Sequence, residues 1–536
     1  MLNNKNWRPF IYSILLAAGI LIGMYLRPSH SGRIFSGSEG RKLREVFGLL
    51  ENAYVDTINT RKLEEDAISS MLAELDPHSV YLSIDDLKIA NEQLGGSFEG
   101  IGVEFSIIND TIMVVAPIEG GPSIALGIQS GDRIVQVDTQ NVAGVNIKNE
   151  EVFKLLRGER GTKVKVKIKR PGFDKLIDYT IVRNTIPVQS VDAAMMIDEH
   201  TGYIRVSRFA VDTYEEFTLG LKKLASTPGF SKLIIDLRGN PGGYLDAVTK
   251  MVDEVLPDGK LIVYTEGRKQ PRYDYESMKK GLYEDGKIAI LIDESSASAS
   301  EIFAGAIQDH DRGIIVGRRS FGKGLVQEPF TLNDGSGLRL TVARYYTPSG
   351  RCIQKPYDNG AEAYEHELLD RYENGEVADE TKTHLNDSTP YYTQNKRTVF
   401  GGGGIMPDIF IPIDTSFRNE YVYELFARNL IRQFVAEYYQ AHKNELAKFA
   451  TPAAYQATFK TPLFGELVKF ATKQGLRKPT ESETKKSAAY IEKQLRAAIA
   501  RQIWNSEGYY YIMAADDDAV KKAKEAMANQ DKILKP

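Results

Sequence analysis

The stretch Lys287–Gln327, KIAILIDESSASASEIFAGAIQDHDRGIIVGRRSFGKGLVQ, reads as a strand, a helix, a second strand and a glycine-rich loop. KIAILID and GIIVG are short unbroken apolar runs, the pattern of strands covered on both faces in a mostly parallel sheet. Between them Ser298 is followed three residues later by Glu301 and then by IFAGAI. That is a capping box, with Ser298 at the N-cap and Ala299 at the first helical position. Upstream, KLIIDL adds another buried strand, so residues 186 to 355 alternate strand and helix and predict an α/β fold. GLRLTVARYYTPSGR supplies a further strand, and GGGGIMPDIFIPID (Gly401 to Asp414) returns to the sheet.

A serine in a capping box is ordinarily just a cap. The same position nevertheless suits a nucleophile, because it lies beyond the carboxyl end of a strand, beside free backbone N–H groups and the positive end of a helix dipole. Its base has to be found elsewhere. No serine sits in Gly-x-Ser-x-Gly, which removes the α/β-hydrolase elbow. Of the seven histidines only His310, in QDHDR, is near the serine cluster, and its polar surroundings read as a solvated turn. There is no His-Glu-x-x-His, so a metal has little support. Lys323 is the better base: Gly322 and Gly324 flank it just past GIIVG, and a lysine desolvated in a cleft loses basicity until it can accept a serine proton. Ser320 with Lys323 also spells Ser-x-x-Lys. The Ser-Asp-Asn and Lys-Thr-Gly tripeptides that accompany that spacing in penicillin-binding enzymes do not occur, which favours Ser298.

The segment before the core has a different period. EGIGVEFSIINDTIMVVAPI reads as a hairpin turning at Asn109 and Asp110, GIQSGDRIVQVD as a glycine turn and strand, and LLRGERGT closes a helix. KVKVKIKR then alternates as a strand with one solvated lysine face rather than as a nucleic-acid patch. Gly100 to Gly102, GIQSGDRIVQVD and LLRGERGT in this order resemble a PDZ domain of the permuted bacterial kind. The resemblance implies that a peptide C-terminus adds as a strand, its carboxylate held by N–H groups at Gly100, Ile101 and Gly102. Arg157, in LLRGERGT, would add a positive charge there or latch the domain to the core.

At 536 residues the chain requires several domains. A hydrophobic content of 42% with 26% charged residues is that of an ordinary globular protein, and a formal charge of −4 argues against nucleic acid as a main partner. The single cysteine, Cys352, excludes an internal disulfide. From Pro9 to Leu26 the chain is uncharged and mostly apolar, with Lys5 and Arg8 before it. As a helix that run would span roughly 27 Å, enough to cross a bilayer with the N-terminus in the cytoplasm. The alternative is a cleaved signal peptide, but YLRPSHSG has no clear small-x-small site. Residues 39 to 95 and the chain from Arg418 onward show helical periodicity, and 356 to 397 are polar, acidic and aperiodic.

SASASEIFAGAIQD, GRRSFGKGLVQ, DLRGNPGG and GGGGIMPDI together resemble the carboxyl-terminal processing, or tail-specific, proteases, over roughly residues 40 to 415. The resemblance implies a serine/lysine peptidase on a crotonase-like α/β core, with Ser298 as nucleophile, Lys323 as general base and Gln327 orienting the lysine. It places the oxyanion hole at the N–H of Ala299 and one from the NPGG turn, Gly242 or Gly243. The expected organisation is a membrane anchor and tether (1–38), a helical region (39–95), a PDZ-like domain (96–185), a protease core (186–415, with an acidic insertion at 356–397) and a C-terminal helical region (416–536). The expected function is a single-pass inner-membrane endopeptidase with its catalytic region in the periplasm. It would act on proteins or peptides with free C-termini, without metal or cofactor, as a homo-oligomer or with an adaptor. A non-catalytic peptide-binding scaffold is the alternative. An acyl-CoA enzyme on a related core is disfavoured by the peptide-binding module and the export signal.

Overall fold

The apolar runs assemble as one six-stranded sheet in the order Val191–Met196, Thr201–Val206, Lys232–Asp236, Lys287–Ile292, Ile314–Gly317 and Ile409–Phe410. The first pair is antiparallel and the others are parallel. This is a computed structural model, and it describes residues 39–383 and 389–536. Both faces of the sheet are covered, which is why its strands carry no polar alternation. Leu233, Ile235, Ile288 and Ile290 point to the side carrying helices Leu245–Asp253 and Ala299–Asp309, whereas Ile234, Ala289 and Leu291 pack with Val520, Ala523 and Met527 of helix Asp518–Ala528. The C-terminal helical region therefore supplies the third layer of the core.

GLRLTVARYYTPSGR does not extend that sheet. Its strand Gly337–Tyr346 centres a separate antiparallel sheet that pairs with Leu325–Thr331, Leu261–Glu266 and Val80–Leu82. A hairpin partner directly upstream costs less loop-closure entropy than a crossover would. Residues 39–74 and 75–536 form two separate compact units, so the stretch read as one helical region over 39–95 is divided. The first unit is two helices, Glu39–Ala53 and Thr60–Ala73. Residues from Leu75 go with the second unit because Val80–Leu82 pairs in the antiparallel sheet and Asp76 accepts a hydrogen bond from Thr341 Oγ1 at 3.1 Å.

The hairpin at Asn109 and Asp110 forms as read, both residues having positive φ (50° and 51°), and opens a five-strand antiparallel ladder from Val103–Ile107 to Ile177–Val182. In KVKVKIK, Val164, Val166 and Ile168 enter the core of this domain and the lysines face outward. Ser97–Gly100 pairs with Asn184–Pro187 and closes the domain at its neck.

The segment 356–397 is not aperiodic in three dimensions. Its described residues include the helix Ala361–Glu373 and the strand Pro390–Tyr392, which pairs with Thr398–Phe400 just beyond it. Its buried face carries Tyr364 and Arg371 rather than aliphatic residues, so hydrophobic periodicity could not reveal it. The run Pro9–Leu26 lies outside the described residues; among the described residues no helix is long and apolar enough to cross a membrane.

Candidate active site

Ser298 begins the helix Ala299–Asp309 with a positive φ, at φ 53° and ψ −113°. For a residue with a Cβ this costs on the order of 1–3 kcal/mol, and the surroundings must enforce it. Glu301 and the NPGG turn do so. The Ser298 N–H donates to Glu301 Oε2 at 2.8 Å, which is the glutamate arm of the capping box. Gly242 lies so close that a Cβ there would stand 2.8 Å from Ser298 Cβ and 3.0 Å from Ala299 N. Ser298 is half-buried, with its hydroxyl at the start of the helix as the capping box places it.

Glu301 is fully buried and joins the serine to the lysine. Its Oε2 accepts from the amides of Ser298 (2.8 Å) and Lys323 (2.9 Å), while Oε1 accepts from the Gly322 amide (2.7 Å) and the Ser320 hydroxyl (2.6 Å). Two such bonds to one oxygen hold the two amide nitrogens within about 6 Å of each other. On the carbonyl side, the Tyr345 hydroxyl donates to Ser298 O at 3.1 Å and also contacts Lys323 O. The two residues are thus bridged at both their amides and their carbonyls.

The Lys323 amine donates to Gln327 Oε1 at 3.0 Å, and Gln327 Nε2 in turn donates to the carbonyl of His78. Burial brings the lysine down to about 8, with Arg339 adding repulsion and Glu301 and Asp76 pulling the other way. Burial likewise pushes Glu301 up to about 7 against the four donors that favour its anion. The His78 ring is held down to about 4 by burial and by Lys323 and sits 2.9 Å from the Tyr364 hydroxyl, so it is neutral at pH 7.

Ser320 is occupied elsewhere: it is fully buried, donates to Glu301, and accepts from the Ile405 amide at 2.6 Å. His310 caps the far end of the Ser298 helix and bonds to Leu261 O at 2.7 Å, half-buried rather than solvated. For the oxyanion pair, the Gly242 N–H is taken by Asn240 Oδ1 at 2.9 Å. Among the described residues the Gly243 and Ala299 amides have no acceptor. Gly243 is restricted to glycine, since a Cβ would fall 2.0 Å from Phe209 O.

In the smaller β domain, Val103–Ile107 is an edge strand of the ladder, and Phe105 meets Phe153 of the helix Asn149–Leu156 with ring centres 5.4 Å apart. Ile101 and Gly102 lead into that edge. Their carbonyls are held by Ser123 and Ile118, and their amides have no acceptor among the described residues. Gly102 (φ 71°) strains any side chain, because a Cβ would lie 3.0 Å from both Gly121 Cα and Ile186 Cδ1. Gly100 instead pairs with Asn184 at the neck. Arg157 turns to Glu92, with 2.6 Å between Nη1 and Oε2, and lies over the rings of Phe98 and Phe153. It therefore latches the domain to the helix Ile84–Leu94.

Sequence reading missed four features that hold this site together: His78, Tyr345, Arg371 and the bridging role of Glu301. For Glu301 the signal was present, since a capping-box acid followed by an unbroken apolar helix is a candidate for full burial. The others come from segments outside the motif and carried none.

Known proteins give the chain its family. Residues 200–360 match peptidase family S41 and 100–181 a PDZ domain. Residues 28–85 match the N-terminal domain of the activating protease CtpB, and 421–505 a family of unknown function. A carboxy-terminal-processing protease of Bartonella bacilliformis is 40% identical over 58% of this chain and 71% of its own length. The carboxy-terminal processing protease CtpB of Bacillus subtilis is 36% identical over 59% and 65%. Among solved structures, the photosystem II D1 C-terminal processing protease aligns with 59% of this chain and 91% of its own at 29% identity, with a TM-score of 0.34. The chain belongs to the carboxy-terminal processing proteases, serine peptidases of family S41 with a PDZ domain.

Proposed function

We propose that Ser298 and Lys323 form the catalytic pair of an endopeptidase that selects substrates by their free C-terminus. The observation that carries this reading is the single Glu301 oxygen shared by the Ser298 and Lys323 amides. The neutral Lys323 amine takes the Ser298 proton as Oγ bonds to the scissile carbonyl carbon. The oxyanion is stabilised by the amides of Ala299 and Gly243, each donor aimed where charge develops. The tetrahedral intermediate collapses, the C–N bond breaks, and the lysine ammonium returns its proton to the leaving amine. Water then attacks the acyl-serine, giving a proton to Lys323, and as the ester bond breaks the lysine passes that proton to Ser298 Oγ, releasing the acid and restoring serine and neutral amine. Gln327, fixed by the His78 carbonyl, keeps the amine from rotating to solvent.

The open edge Val103–Ile107 and the unpaired amides of Ile101 and Gly102 support capture of a peptide tail as an added strand. We further propose that Pro9–Leu26, preceded by Lys5 and Arg8, anchors the protein in the inner membrane with residues beyond Arg27 in the periplasm. Ser298→Ala and Lys323→Ala should each abolish cleavage of an unstructured polypeptide with an apolar C-terminus while the protein stays folded. Cleavage retained by Ser298→Ala would overturn the catalytic reading. Recovery of a soluble mature form beginning near Ser29 would overturn the anchored one.

A further inference from the structure

The loop that carries Lys323 is gripped from outside the segment that matches family S41, which ends at residue 360. The gripping element is the helix Ala361–Glu373. Its Arg371, 2% exposed, spreads one guanidinium over three successive carbonyls: Nη1 donates to Ser320 O at 2.8 Å and Arg319 O at 3.4 Å, and Nη2 to Phe321 O at 3.2 Å. Its remaining Nε donates to Glu367 Oε1 at 2.8 Å. Lys355 continues the clamp. Its amine donates to Glu367 Oε2 at 2.9 Å and stands 4.2 Å from the ring centres of both Phe321 and Tyr364, while its backbone N–H donates to Gly322 O at 2.9 Å. Tyr364, from the same helix, meets the ring of His78, whose carbonyl holds Gln327.

Three carbonyl dipoles converging in a buried place repel one another unless a cation faces them, and each would otherwise rotate toward water. Rotating those peptides would swing the chain just before Lys323. A guanidinium suits this position because its planar fork supplies several fixed donors where an ammonium supplies a point charge. Burial works against ionising Glu367, but Arg371 and Lys355 outweigh it and bring its carboxyl down to about 2, so Glu367 faces the two cations as a carboxylate near neutral pH.

We propose that Arg371 is a positioning residue for catalysis: by binding the carbonyls of Arg319, Ser320 and Phe321 it sets the path of the loop that delivers the Lys323 amine to Ser298. This rests on Lys323 being the base. The test compares full-length wild type, Arg371→Ala and Lys323→Ala, with kcat and KM measured across pH and normalised to the folded fraction from near-ultraviolet circular dichroism. Arg371→Ala should lower kcat by about tenfold or more and leave KM within about twofold. The midpoint of its pH–activity curve should move up by about one unit, because a lysine released toward solvent regains its ordinary basicity. If Arg371→Ala does not fold, Arg371→Lys, which keeps a charge beside Glu367 but loses the fork, is judged by the same criteria. An unchanged kcat and midpoint per folded molecule would overturn the proposal and leave the Ser298–Lys323 pair standing. Activity retained by Lys323→Ala would overturn the pair and this proposal with it.

Discussion

Replacing Lys323 with methionine should remove activity and, near neutral pH, relieve a cost that the fold bears. The lysine lies in a site that brings it from 10.5 down to about 8, chiefly by burial. Below pH 8 it is charged in both the folded and the unfolded chain, and the folded chain carries the full penalty. Between 8 and 10.5 the unfolded chain still binds the proton while the folded chain has released it, so stability rises with pH; above 10.5 the penalty is gone. At about 1.36 kcal/mol per unit the window is worth about 3 kcal/mol. Methionine has a similar length and no charge. Its own cost, the unpaired Gln327 Oε1, is about 1 kcal/mol and does not vary with pH. Urea unfolding of both proteins at about pH 7.5, 9 and 10.5 should therefore show wild type gaining about 3 kcal/mol on Lys323→Met across the series. In the same range wild-type kcat/KM should rise with a midpoint near 8, where the neutral amine appears. A stability difference that stays constant with pH would mean that Lys323 is not desolvated, and the base would have to be sought elsewhere.

Glu301→Gln keeps the shape of the bridging side chain but turns an NH₂ group toward two of its four donors. Where the NH₂ faces the Ser298 and Lys323 amides, both hydrogen bonds that link nucleophile and base are lost, and kcat should fall on the order of 100-fold, measured as initial rates on a folded variant. Gly102→Ala forces a side chain into a left-handed turn with contacts at 3.0 Å. It should raise KM for substrates ending in a free carboxylate by about fivefold or more and leave amidated substrates, already weaker, unchanged. Equal KM for amidated and free-acid substrates in wild type would show that the tail is not read.

The core was legible because its strands are covered on both faces: Leu233 and Ile235 face one helical layer and Ile234 the other, so KLIIDL reads as an unbroken apolar run. The PDZ domain was legible because turns announce themselves locally, as Asn109–Asp110 does. What was hidden is what depends on distant partners. The helix Ala361–Glu373 hides its buried face behind charge, since Arg371 is buried against carbonyls and Glu367 instead of aliphatic groups. Tyr345 looks like an ordinary strand tyrosine until its hydroxyl is found between Ser298 O and Lys323 O. Likewise the sequence could not show that the Gly242 amide is engaged by the Asn240 side chain while its neighbour's is not.

The mechanism stands or falls on acylation of Ser298 with Lys323 as the base. Rapid acid quench of the full-length enzyme during turnover of a slowly deacylating ester or peptide substrate, followed by proteolysis and mass spectrometry, reads the acyl group directly. Wild type should carry an adduct on the peptide containing Ser298, and Lys323→Ala should carry none under the same conditions. An adduct on Ser320, or an undiminished adduct on Ser298 in Lys323→Ala, would contradict the mechanism.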